Sequence, residues 1–109
     1  MEDPAILILC TAPGAGDTAA ELARGLVEAR LAACVNVVPG IRSFYRWQGS
    51  LQDDAEMQLL IKTRRSRFAA IEAWLAENHP YDVPEVLALR IEQGSPAYLQ
   101  WLADQTSAD

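Results

Sequence analysis

At 109 residues, half of them hydrophobic, the chain is long enough to bury a core of its own and is read as a single domain, residues 1–109. A formal charge of −6 with no offsetting Lys/Arg cluster excludes a nucleic-acid backbone or an anionic membrane surface as partner, and no apolar run approaches the roughly 20 residues of a membrane span. Two cysteines make no disulfide framework, and Met1-Glu2-Asp3-Pro4 lacks the positive flank of a signal peptide, so the expected compartment is a reducing cytoplasm.

Ala5 to Thr11, AILILCT, is apolar without alternation and reads as a central strand covered on both faces. After the loop Thr11-Ala12-Pro13-Gly14-Ala15-Gly16, Thr18 and Glu21 have the spacing of a capping box. Leu22, Ala23, Leu26, Ala29 and Ala33 then share one face of a helix that runs straight into the next element.

That element is the longest in the chain, a β-hairpin from Leu31 to Thr63. Its first arm runs over Ala33–Val38 and resumes at Ile41–Trp47; Pro39 has no N–H for the ladder, which predicts a bulge or bend. The second arm sets Met57, Leu59, Ile61 and Thr63 against Glu56, Gln58, Leu60 and Lys62, the period-2 pattern of a half-buried strand. Gln48-Gly49-Ser50 with Asp53-Asp54 reads as the turn and solvated tip. Arms this long exceed the usual five or six residues of a strand and are expected to overhang the sheet, a first sign of an oligomer.

Arg64-Arg65-Ser66-Arg67 is the only basic run and reads as the solvated entry to a helix with Ser66 at its N-cap and Phe68, Ile71 and Leu75 on its apolar stripe, ending near Asn78. Pro80 and Pro84 bound a loop. Glu85–Glu92 then alternates as a last strand, and Ser95-Pro96 opens a helix with Tyr98, Trp101 and Leu102 on one side. The order is α+β: a ferredoxin-like βαββαβ antiparallel sheet with an added C-terminal helix. Right-handed crossovers place the first strand between the hairpin's second arm and the last strand. Helices cover one face of such a sheet, so the other is expected to be buried by further subunits.

This topology gathers Cys10, Tyr45, Trp47, His79 and Glu85 at one end of the subunit. Cys34 begins the other arm and is expected at the opposite end, a strand length of roughly 17–20 Å away, beyond shared chemistry with Cys10. Thiolate and imidazole suit Cu(I) or Zn(II), so Cys10 and the sole histidine, His79, are a candidate soft-metal pair that Glu85 or Asp82 would complete. The competing reading makes Cys10 a small buried hydrophobe and His79 a helix-end cap; there is no CxxC or HxxxH to decide between them. Gly14-Ala15-Gly16 falls short of a phosphate-binding motif and reads as a turn. Tyr45, Trp47 and Trp101 are candidates either for packing or for lining a ligand cleft.

Leu31-Ala32-Ala33-Cys34-Val35-Asn36, Pro39, Ser43-Phe44-Tyr45-Arg46-Trp47-Gln48-Gly49, Ile61-Lys62-Thr63, His79-Pro80-Tyr81-Asp82-Val83-Pro84-Glu85 and Tyr98-Leu99-Gln100-Trp101-Leu102 together resemble the CutA divalent-cation tolerance family over nearly the whole chain. The resemblance implies a cytoplasmic homotrimer, similar in architecture to the PII signal-transduction proteins, with no settled enzymatic reaction. It also implies tolerance to copper and other divalent metals, with copper binding attributed to the positions of Cys10 and His79. Some members carry two successive histidines where this chain has Asn78-His79. The chain is therefore expected to be a copper- or divalent-metal-binding protein rather than an enzyme, with Cys10, His79 and Glu85 as ligands. The alternative is a PII-like sensor or adaptor with an intersubunit cleft lined by Tyr45, Trp47, Lys62, Tyr81 and Glu85, Lys62 coming from a neighbour. An acylphosphatase-like hydrolase ranks last, because the loop Thr11–Gly16 has neither Arg nor Asn for an oxyanion.

Overall fold

The computed structural model describes residues 3–107. Its elements are β1 (Ala5–Pro13), α1 (Thr18–Glu28), β2 (Cys34–Trp47), β3 (Ser50–Arg64), a 3-10 turn (Arg65–Arg67), α2 (Phe68–Asn78), β4 (Leu87–Arg90) and α3 (Pro96–Gln105). The four strands form one sheet in the order β2-β3-β1-β4, every neighbouring pair antiparallel, with β1 inside as the crossover rule requires. No helix among the described residues is long and apolar enough to cross a membrane.

One face of the sheet carries the core. Ile6, Ile8, Cys10 and Ala12 of β1 and Leu59 and Ile61 of β3 are buried against Leu22 and Leu26 of α1 and Ile71 and Leu75 of α2. Gly25 allows the two helices to close up, since a Cβ there would lie 2.5 Å from the Trp74 ring. The other face is only partly covered in the single chain, by α3 packed against β3 and β1. β1 alternates buried and half-buried residues rather than being covered on both sides. β4 has no buried residue, leaving Leu87 and Leu89 more than half exposed.

The hairpin is long and overhangs as expected, giving the molecule a 45 Å long axis against 25 and 22 Å. The register slips between Val38 and Ile41, at the predicted Pro39-Gly40 irregularity. The turn is shorter than expected: only Gln48 (φ 50°) and Gly49 (φ 82°) lie outside the strands. Positive φ at both central residues is the type I′ geometry that matches strand twist. Asp53 and Asp54 are therefore ladder residues, paired with Phe44 and Ser43. Arg42 holds Asp53 through two 2.9 Å bonds, and its guanidinium lies over the Phe44 ring.

Several local expectations change. Thr18 is the first helical residue rather than the cap; Asp17 occupies the cap position, without a side-chain bond. Helix α1 ends at Glu28, Ala29 is exposed, and Arg30 turns the chain at φ 60° before Ala33 donates to the Lys62 carbonyl. Ser66 does not cap α2. It sits in the preceding 3-10 turn, where its N–H and hydroxyl both donate to the Asp3 carboxylate. Nor is the basic run merely solvated: Arg64 bonds Asp3 and the Thr106 side chain, and Arg64 and Arg67 both donate to the Thr106 carbonyl, tying the end of α3 to the end of β3. At α3 the expectation holds, with Ser95 Oγ accepting the Tyr98 N–H and Pro96 at the first helical position.

Candidate functional site

Pro80 forbids helical backbone before it, so α2 stops at Asn78 and His79 turns extended (φ −84°, ψ 139°). The chain then passes the end of β1 and folds against the hairpin, forming a cleft of about 670 Å³. One wall is the hairpin's distal half, with Phe44, Tyr45 and Trp47 of β2 and Glu56 of β3; the other is the loop Pro80–Glu85, and Thr11 closes one side. The expected ligand cleft lies between subunits; of the residues assigned to it, Tyr45, Trp47, Tyr81 and Glu85 line this cleft within one chain. Phe44 and Glu56 were not singled out. Glu56 belongs to the strand's polar row, and only the folded loop shows that it is buried, at 5% exposure.

The phenols of the cleft are spent on its acids. Tyr81 Oη donates to Glu56 Oε2 at 2.6 Å, and Tyr45 Oη donates to Asp54. Burial and the bond to Glu56 push the Tyr81 phenol well above its ordinary range, and the bond to Asp54 raises that of Tyr45. Gln58 Nε2 donates to the Cys10 carbonyl at 3.0 Å and reaches Glu85 Oε2 at 3.5 Å, linking β3 to the loop.

Cys10 and His79 lie behind this cleft rather than on its surface. Cys10 faces the core, fully buried; burial, with Glu85 and Glu56 adding negative potential, pushes its thiol up to about 12. A thiol that stays protonated is a poor metal ligand. His79, 7% exposed, has both ring nitrogens engaged. Nδ1 accepts the Tyr81 N–H at 3.1 Å, so Nε2 carries the proton and donates to the Thr11 carbonyl at 2.8 Å. Its ring packs against Tyr81, centroids 4.6 Å apart. Among the described residues no three His, Cys, Asp or Glu side chains cluster as a metal site. The set Cys10, His79 and Glu85 therefore does not fit a metal ion in this arrangement. The cause is local: the proline that ends α2 sets His79 across the β1 terminus as a strut.

Lys62 lies outside the cleft of its own chain. It pairs with Leu7 and Cys34, and its ammonium meets the Asn36 side-chain oxygen. Cys34 is not a full strand length from Cys10. In the register it stands level with Leu7, three residues away, or roughly 10 Å along the strand. It belongs to the Lys62 row and Cys10 to the Leu59 row, so the two thiols sit on opposite faces of the sheet.

A family model described as CutA1 divalent ion tolerance protein matches residues 6–105. The chain is 54% identical over 89 residues to the Protein CutA homolog of Xenopus laevis, covering 81% of this chain and 59% of that one, so it spans less than two thirds of that relative's length. It is 46% identical over 100 residues to the divalent-cation tolerance protein CutA of Thermus thermophilus, covering 92% of this chain and 96% of that one. The crystal structure of CutA1 from Oryza sativa superposes with a TM-score of 0.92 at 45% identity, over 97% and 96% of the two chains. With a matched model across almost its whole length and the same fold in solved relatives, the chain belongs to the CutA1 divalent ion tolerance family.

Proposed function

We propose that this chain serves divalent-cation tolerance as a homotrimeric, PII-like binding protein whose site is the cleft between the hairpin and the Pro80–Glu85 loop. Binding rather than catalysis is its role. The observation that carries the reading is the cleft itself: it has the size of a small-molecule site and is walled by aromatic side chains with a few placed carboxylates. The trimer is supported by the apolar surface that one subunit leaves bare. Leu87, Leu89, Phe44 and Leu51 are each more than half exposed, and Leu7 and Leu9 lie beside Leu89 and Leu87 on the face opposite α1 and α2. In such a trimer Lys62 of one subunit approaches the cleft of another.

Direct copper ligation is the rival. It would need the Cys10 thiol to ionise and His79 to give up at least one of its two bonds, with Glu85 or Asp82 contributing from the cleft. The test is a calorimetric titration of the reduced protein with Cu(I) and Cu(II), beside a tryptophan-fluorescence and thermal-shift screen of small charged metabolites. Wild type, Cys10→Ala, His79→Ala and Trp47→Leu are compared at a known oligomeric state. A small molecule whose binding survives Cys10→Ala and is lost in Trp47→Leu supports the cleft. Stoichiometric copper binding lost in both Cys10→Ala and His79→Ala, with no small molecule bound, overturns it.

A further inference from the structure

Resting on the cleft as the binding site, we infer that its ligand is an organic cation, an alkylammonium or guanidinium group, and not an anion or a bare metal ion. Two observations point there. Within one subunit the lining holds Glu56, Asp82 and Glu85 and no lysine or arginine, so a phosphate or carboxylate ligand would meet only like charge from that subunit. The hydroxyls of Tyr45 and Tyr81 are already donated to Asp54 and Glu56, which leaves the cleft rich in acceptors and in aromatic faces. Those are the two features that recognise an ammonium or guanidinium group.

Glu56 is the anchor. It is 95% buried by its 5% exposure, its Oε2 takes the Tyr81 hydroxyl, and Oε1 has no hydrogen-bond partner among the described residues. No polar side-chain atom of the described residues is both sealed from solvent and unpartnered, so Oε1 keeps some access, and Glu56 lines the cleft. A buried carboxylate with one oxygen held and the other open is a fixed acceptor for an N–H donor. A bare divalent ion would instead need several oxygens converging at about 2.0–2.6 Å, and the acids here do not cluster in that way. A cavity of about 670 Å³ has room for an organic cation with its apolar stem against Phe44, Tyr45 and Trp47.

The cation has two sources: a free amine, or the Lys62 ammonium of a neighbouring copy. The experiment separates them. Wild type, Glu56→Gln, Trp47→Leu and Lys62→Met are titrated with putrescine, agmatine and choline, with ATP as the anionic comparison, following tryptophan fluorescence and calorimetry at low and high salt. Glu56→Gln keeps an acceptor for Tyr81 while removing the charge, and its melting curve checks the fold. The expected result is saturable amine binding that weakens with salt and falls about tenfold or more in Glu56→Gln, with no ATP binding. Amine binding that emerges only in Lys62→Met also supports the inference and identifies the neighbour's lysine as the resident cation. The inference is overturned if no amine binds in wild type or Lys62→Met, or if amine binding is indifferent to both Glu56→Gln and Trp47→Leu. ATP binding that depends on Trp47 would also overturn it while leaving the cleft as the site. Copper binding abolished by Cys10→Ala, with every organic probe inert, would remove the cleft reading as well.

Discussion

Replacing His79 by alanine separates a structural strut from a metal ligand, and the structure sets the size of the effect. The ring is 7% exposed and makes two hydrogen bonds, from Nε2 to the Thr11 carbonyl at 2.8 Å and to Nδ1 from the Tyr81 N–H at 3.1 Å. Each is worth about 0.5–1.5 kcal/mol net, and loss of the buried ring with its Tyr81 contact adds about 1–2 kcal/mol. The freed groups recover part of this from water, because Tyr81 is only half-buried. The expected cost is therefore about 2–4 kcal/mol, a large share of the roughly 5–15 kcal/mol that holds a domain together. The assay is urea unfolding in EDTA, with protein concentration held fixed because subunit association contributes to apparent stability. If His79 were chiefly a metal ligand, the variant would match wild type in EDTA and differ only with copper present. A loss below about 1 kcal/mol in EDTA would refute the strut.

Tyr81→Phe removes the donor to Glu56 and should cost about 1–2 kcal/mol by the same unfolding assay, since hydrogen bonds to charged groups are among the stronger ones; an unchanged midpoint would show that water replaces the phenol. Gly14→Ala places a Cβ 2.7 Å from the Ala55 backbone carbon and oxygen, atoms that cannot swing aside, and should destabilise by about 1–3 kcal/mol while displacing the neighbouring Glu56. Cys10 should resist a thiol reagent until the protein unfolds, as mass mapping of the modified cysteine would show. Because its folded pKa is raised from 9.0 to about 12, its contribution to stability is complete below pH 9 and is lost as pH rises towards 12. At the acid end Asp3 behaves oppositely. Burial works against its charge, but the two Ser66 bonds and Arg64 outweigh it and hold its carboxyl below the usual value. Its contribution is present above the ordinary aspartate pKa of about 3.9 and disappears as pH falls through the lowered one, so Asp3→Asn should flatten the acid limb of the pH–stability curve.

Element order, strand order and the overhanging hairpin were legible in the chain, because each rests on local patterns with a strong physical cause. Alternation on Met57–Thr63 marks a strand, Pro39 marks a break in the ladder, and Ser95-Pro96 marks a helix start; all three stand in the structure. Pro80 likewise announced where α2 ends. Legibility failed where a side chain's partner lies far along the chain. Ser66 has the spacing of a cap, yet Asp3 takes both of its donors; Arg64 and Arg67 look solvated, yet they hold Thr106.

The same division runs through the site. That Tyr45, Trp47 and Glu85 gather at one end of the subunit followed from strand direction and register, and with Tyr81 they line one cleft of the single chain. What the gathered residues are free to do was decided by tertiary structure alone. Cys10 and His79 carry metal-ligand chemistry as residue types, but packing keeps the thiol protonated and two backbone groups occupy the imidazole. Glu56, one polar residue in an alternating strand, becomes the buried acid of the cleft because a loop some 25 residues on lays Tyr81 across it. Local pattern determines elements, since it acts over a few residues. Donor occupancy, burial and protonation depend on groups brought together from distant parts of the chain, and only the folded molecule sets them.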